Sequence, residues 1–243
     1  TYFGKNGSRY SLARVTIGGS DFSTRAYTLD DIPDDVHLNN FSLTREDEVY
    51  KIPYMQRALE LNPQLKFFAA PWTAPAWMKT NDKISGPLGI LKHEYYQTYA
   101  NYLVKFLETY EKRGLPMFAL STGNEPATAL TDIVPINDMF WTPYSQSRFL
   151  VNNLGPTVRQ SMSNRTQIWV MDDQRFELPW WVDEMYITES NVGNYFDGIA
   201  VHWYSEKFIS PIVLDLTHKR HPDKFMIMTE ACHTRPFDSS IQP

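Results

Sequence analysis

A single cysteine, Cys232, stands in 243 residues, so no disulfide can form within the chain and a disulfide-stapled scaffold is excluded. No stretch reaches the roughly 18 apolar residues that a membrane-spanning helix requires. The phosphate-cradling patterns GxGxxG and GxxxxGK followed by Ser or Thr are missing, as is the GxSxG nucleophile elbow. Nucleotide binding and serine acyl transfer thus lose their sequence support. Cys232 has no base partner close to it in sequence. Cationic runs are absent as well. Lys+Arg total 23 against 28 Asp+Glu, a net charge of −5, which argues against nucleic acid as a partner.

Apolar residues at 42% with 21% charged describe a globular chain, long enough for one large domain. It opens on Thr1-Tyr2-Phe3-Gly4-Lys5, without an initiator Met or an apolar leader, and stops at Gln242-Pro243 soon after a strand-like run. A fragment of a longer protein is expected. Three Asn-x-Ser/Thr sequons, at Asn6, Asn40 and Asn164, favour glycosylation and the secretory route.

Short β-type runs alternate with helical patterns. Strands are expected at Tyr10 to Ile17, Leu65 to Ala70, Met117 to Ser121, Gln167 to Met171, Gly198 to His202 and Lys224 to Thr229. Most are continuously apolar, as strands covered on both faces must be. Helices are expected from Arg45 to Leu61, kinked at Pro53, and from Glu94 to Arg113, with Tyr95, Tyr99, Tyr102, Phe106 and Tyr110 on one stripe. A third begins at Thr142-Pro143 and bends near Gly155-Pro156; shorter ones follow at Pro179 to Thr188 and Ser210 to Lys219. This alternation implies right-handed βαβ units and a parallel sheet, either doubly wound or a (β/α)8 TIM barrel.

The position of the chemically interesting residues favours the barrel, whose active sites sit at the C-terminal strand ends. The first strand leads to Arg14 and Gly18-Gly19-Ser20-Asp21, the second to Pro71-Trp72, the third to Asn124-Glu125-Pro126. The fourth leads into Asp172-Asp173-Gln174-Arg175, the fifth into His202-Trp203-Tyr204, the sixth into Glu230-Ala231-Cys232. Taken singly, Trp72 fits core packing, His202 a satisfied core histidine, and a Glu before a Pro a helix cap. Together, two strand-end glutamates ringed by aromatic, amide and cationic groups suit a sugar, with Glu125 and Glu230 flanking the scissile bond. His218 and His221 flank Lys219-Arg220 on a surface-type helix end, and Asp30 to Asp35 lacks the glycine and spaced oxygens of a calcium loop, so no metal and no cofactor are expected.

At these motifs the chain resembles the glucosylceramidases of glycoside hydrolase family 30. Matching stretches are Gly18-Gly19-Ser20-Asp21-Phe22-Ser23-Thr24-Arg25, Pro71-Trp72-Thr73, Lys79-Thr80-Asn81, Asn124-Glu125-Pro126, Asp172-Asp173-Gln174-Arg175, Gly198-Ile199-Ala200-Val201-His202-Trp203-Tyr204 and Glu230-Ala231-Cys232. The resemblance implies a (β/α)8 barrel that is incomplete here, residues 1–243 being one partial catalytic domain. Its six strands would be barrel strands 2 to 7, with strands 1 and 8 and an accessory β-domain outside. It implies retaining hydrolysis of the β-glucosidic bond of glucosylceramide, with Glu230 as nucleophile, Glu125 as acid/base and carboxyl groups about 5–5.5 Å apart. Asp21, Trp72 and Asn124 would bind glucose hydroxyls, Asn124 at the 2-OH. Arg14 and Tyr204 would hold Glu230 as an anion, and His202 and Trp203 would complete the substrate surround. It further implies a glycolipid met at a membrane surface, a saposin-like activator and a lysosomal or secreted location. Val134-Pro135-Ile136 stands where the animal lysosomal enzymes carry Tyr-Pro-Phe, and Ser20 replaces a Cys. Alternatives are an endo-glycanase of the same family and a truncated, non-catalytic carbohydrate-binding product.

Overall fold

In the computed structural model, which describes residues 1–130 and 137–231, six parallel strands form one sheet in the order of the sequence. They are β1 (Leu12–Ile17), β2 (Lys66–Pro71), β3 (Met117–Ser121), β4 (Gln167–Gln174), β5 (Gly198–His202) and β6 (Phe225–Glu230). Val134-Pro135-Ile136 and Cys232 lie outside the described residues. Helices α1 (Ile52–Leu61), α2 (Tyr96–Glu111), α3 (Pro143–Phe149), α4 (Gly155–Gln160), α5 (Trp180–Thr188) and α6 (Ile212–Arg220) fill the connections, so the sheet is an incomplete (β/α)8 barrel.

Side-chain alternation divides each strand between two environments. Ile168, Val170, Ile199 and Val201 join the large core shared with the helices. Phe68, Ala119, Trp169 and Ala200, one from each of four adjacent strands, form a separate apolar layer on the opposite face, with Leu12 and Ile227 at its flanks. Two residues further along, alternation turns Arg14, Ser121, His202 and Thr229 to that same inner face. A polar layer therefore stands directly on an apolar floor.

β4 departs from the alternation, and the departure matters. Val170 and Met171 both join the helix-side core, and the pairing with β5 shifts register between Met171 and Asp173. Met171 and Asp172 adopt positive φ, 70° and 55°, in this bulge. The strand thus runs to Gln174 rather than ending at Met171, and Asp172 enters the inner polar layer.

Other boundaries move by a residue or two, and two helices differ in kind. Around Pro53 a π-helical turn, Glu46–Lys51, runs directly into α1, and the proline stands at the second position of α1, where the helix changes type. Thr142 caps α3 in a reciprocal box with Ser145, and a second π-helical turn, Leu150–Leu154, widens the helix just before Gly155-Pro156. The aromatic stripe of α2 is buried as expected, and Tyr110 donates to Asp47 at 2.7 Å. Asp47 is fully buried and also accepts from Thr44 and pairs with Lys51. Tyr110→Phe leaves this carboxylate one donor short, and a loss of about 1–3 kcal/mol in urea unfolding is expected. An unchanged midpoint would show that Thr44 and Lys51 suffice.

Candidate active site

Glu230 ends β6 and lies opposite His202 in the β5–β6 pairing. Arg14, inside β1 rather than past it, donates Nη1 to Glu230 Oε2, and the Tyr204 hydroxyl donates to Oε1 at 2.9 Å. Glu125 follows β3 on a turn whose backbone is unusual: Gly123 has φ 155° and Glu125, without a glycine's freedom, φ 41°. Three contacts hold that turn. The Asn124 amide donates to Pro71 O, the Glu125 amide to Asp172 O, each at 2.9 Å, and the Ala127 amide to the Asp173 carboxylate at 2.9 Å. Glu125 Oε1 faces Gln174 Nε2 at 2.7 Å and His202 Nδ1 at 2.9 Å. Carboxylate oxygens of Glu125 and Glu230 approach within 4.8 Å of one another, with His202 beside both.

Asp172 lies beneath the pair, fully buried. Its Oδ2 accepts from Arg14 Nη2 at 2.8 Å and Ser121 Oγ at 2.5 Å, its Oδ1 from Thr229 Oγ1 at 2.7 Å, and His202 Nε2 lies 3.0 Å away. Burial alone would raise its pKa, but the Arg14 charge and the His202 contact outweigh burial and hold it well below the usual carboxylate range. Burial would likewise lower the His202 pKa. Hydrogen bonds to Asp172 and Glu125, then the charges of Asp172 and Glu230, push it up to about 10 instead. Burial pushes Asp173 up to about 7 against its amide hydrogen bonds.

The signs of these shifts fix a pH dependence. His202, raised from about 6.5, stabilises fully below that value, and the stabilisation is lost as pH rises toward about 10. Asp173 keeps its proton in the folded protein up to about pH 7 while the unfolded chain ionises near 4, so it too costs stability as pH rises. Asp172 works oppositely, stabilising above about 4 and losing that contribution in stronger acid. Thermal unfolding should show a maximum near pH 4–5 and a decline through neutrality. A maximum above pH 8 would contradict these assignments.

Six of the expected residues meet here: Arg14, Asn124, Glu125, His202, Tyr204 and Glu230. Asn124 Oδ1 accepts from Arg14 Nη2 at 2.8 Å. Trp72 joins them, its ring 4.7 Å from the Arg14 guanidinium carbon. Trp203 follows His202, half-buried. Asp21 differs: it is exposed in the turn after β1, and among the described residues no hydrogen bond or ion pair ties it to the cluster. Asp172, Asp173 and Gln174, expected past the end of the fourth strand, lie inside β4, and Ser121 and Thr229, expected only as strand residues, join the site with them. The bulge that turns Asp172 inward had only the adjacent acids as a local signal, since two neighbours on a regular strand cannot share a face. The sequon residues Asn6, Asn40 and Asn164 are exposed. His221 stacks on Tyr186 and hydrogen-bonds Asp183 at 2.9 Å, tying the end of α6 to α5.

Glu125, His202 and Glu230 are close enough to enclose an ion. Both nitrogens of His202 already face carboxylates, however, and an imidazolium has no lone pair to offer. The donor set fits paired-carboxylate chemistry better than metal ligation.

The sequence profile of the Glycosyl hydrolase family 30 TIM-barrel domain matches residues 1–242. The lysosomal acid glucosylceramidase of Mus musculus is 40% identical over 239 residues, 96% of this chain and 46% of its own. An endo-1,6-beta-D-glucanase of Neurospora crassa is 30% identical over 229 residues, covering 92% and 46%. Among solved structures, SrfJ from Salmonella typhimurium superposes with a TM-score of 0.87 at 29% identity, over 98% of this chain and 52% of that one. The chain spans about half the length of the curated relatives it matches.

Proposed function

The chain belongs to glycosyl hydrolase family 30, and from that membership we propose that it carries the catalytic pair of a retaining β-glucosidase that cleaves glucosylceramide to glucose and ceramide. One observation carries the mechanism: carboxylate oxygens of Glu125 and Glu230 within 4.8 Å. Retaining pairs stand about 5–5.5 Å apart and inverting pairs about 6.5–9.5 Å, because the latter must admit a water. Glu230, charge-paired with Arg14 and hydrogen-bonded by Tyr204, attacks the anomeric carbon and forms a glucosyl ester. Glu125 gives its proton to the departing oxygen, then takes one from the water that hydrolyses the ester. Asn124 beside Arg14 is available for a sugar hydroxyl, with the Trp72 ring lining the same wall.

The choice of a lipid aglycone rests on the loops leaving the C-terminal strand ends. Phe22, Leu88, Leu130, Phe176 and Phe208, from five different connections, are all exposed. An exposed apolar group on each of these five connections suits a substrate whose leaving group is embedded in lipid. The stability maximum expected at acid pH suits a lysosomal protein reached by the secretory route, docking peripherally with a saposin-like activator.

The test has two parts, both on the intact protein. Proton NMR of early turnover should detect β-glucose first; α-glucose first would overturn retention. Glucosylceramide in anionic vesicles should be cleaved at least tenfold more efficiently than a soluble β-1,6-glucan. The reverse preference would favour the endo-glycanase reading, which the 30% identical glucanase supports.

A further inference from the structure

Asp172 has no place in the two-carboxylate chemistry, yet it is the most densely coordinated acid in the described residues around the site. Four donors meet its two oxygens, and one of them, Arg14, can only donate. The Arg14 charge at 2.8 Å keeps it an anion, and His202 Nε2 carries a hydrogen toward it.

The other ring nitrogen decides where the acid's proton sits. Nδ1 lies 2.9 Å from Glu125 Oε1 and 3.9 Å from Glu230 Oε1. Two arrangements fit the shorter contact. Either Nδ1–H donates to Oε1, or a protonated Oε1 donates to a bare Nδ1. In the second, the proton meant for the glycosidic oxygen points into the protein. Three carboxylates surround the ring, which favours the doubly protonated form, and Gln174 Nε2 already fills a second acceptor position on Oε1. The raised His202 pKa agrees with this.

We propose that Asp172 is a positioning residue: it holds His202 as an imidazolium donating to Glu125 Oε1, which confines the transferable proton of Glu125 to Oε2. The proposal rests on the assignment of Glu125 as acid/base and adds which of its oxygens acts, and why.

In the intact enzyme, Asp172→Asn removes the anion and lets the ring go neutral, so the Glu125 proton falls back onto the Oε1–Nδ1 contact. Protonic assistance matters for poor leaving groups and hardly for good ones. The kcat/KM for phenyl β-glucoside should therefore fall about 100-fold further than that for 2,4-dinitrophenyl β-glucoside, most steeply above pH 6. The shared disturbance through Arg14 lowers both and cancels in the ratio. A ratio within about threefold of wild type would overturn the proposal. Nitrogen-15 NMR of selectively labelled histidine in the wild-type protein tests it without any variant. Both nitrogens of His202 should be protonated at pH 7.5; a neutral ring at pH 7 would overturn it. This spectrum stands whether or not Asp172→Asn folds. Failure to cleave either glucoside would count against the glucosidase reading alone, because the histidine spectrum does not depend on turnover.

Discussion

Glu230→Gln in the intact enzyme is expected to lower kcat by a factor on the order of 10^4 to 10^6, with the thermal midpoint close to wild type. The amide copies the shape of the carboxylate and still accepts from Tyr204, so packing is kept while the nucleophile is lost. Charge is lost with it. Arg14 keeps Asp172 as an ion partner, which limits the structural consequence to one side of the guanidinium. A variant cut back to Ala gives a sharper result. Azide can then enter from the face that the carboxylate occupied, and α-glucosyl azide should accumulate from an activated β-glucoside. The matching variant at Glu125 keeps the nucleophile, so azide intercepts the glucosyl ester and yields the β-azide. Opposite anomers from the two variants would separate nucleophile from acid/base. The same anomer from both, or Glu230→Gln turnover within tenfold of wild type, would refute the assignment.

The difference between what the chain announces and what it conceals follows from locality. β3 and β5 appear at their expected limits because each is a short apolar run bounded by residues that break it. The start of α3 is equally local, a Thr-Pro pair whose cap and first-turn proline act on their immediate neighbours. Strand order is less local, yet βαβ handedness leaves few choices once six strands alternate with helices. Glu125 and Glu230 were legible for the same reason: a strand end fixes where a side chain points. Asp172 was not. Its entry into the inner layer depends on a bulge that two positive-φ residues create; aspartate tolerates that conformation, but Met171, in the middle of an apolar run, does not announce it. Asp21, given a glucose contact by family resemblance alone, lies exposed in the turn after β1, and no hydrogen bond among the described residues ties it to the cluster. Expectations built on strand ends therefore locate the paired carboxylates, whereas the supporting charges depend on pairing across strands distant in sequence.

Those supporting charges make the second large prediction. Arg14→Met is expected to cost about 3–5 kcal/mol, lowering Tm by roughly 6–20 °C, and to reduce turnover sharply in whatever protein remains folded. Methionine keeps most of the stem's volume, so little of the loss is cavity. What disappears is a cation that meets Asp172 and Asn124 through one nitrogen and Glu230 through the other, with its flat face over Trp72. Asp172 has no solvent access, and Ser121, Thr229 and His202 remain as donors. Neutral hydroxyls cannot replace a charge, so His202 alone must balance the two anions, Asp172 and Glu230, that Arg14 and His202 had shared. Arg14→Lys separates charge from shape. A point charge on a flexible stem can reach Asp172 or Glu230 but cannot fork between them. Its stability should therefore recover by more than half while kcat stays low, because Glu230 is no longer held in line with the anomeric carbon. If the methionine variant unfolds at the wild-type temperature, Asp172 is not relying on Arg14. If the lysine variant is as active as wild type, bidentate geometry is not what the site needs.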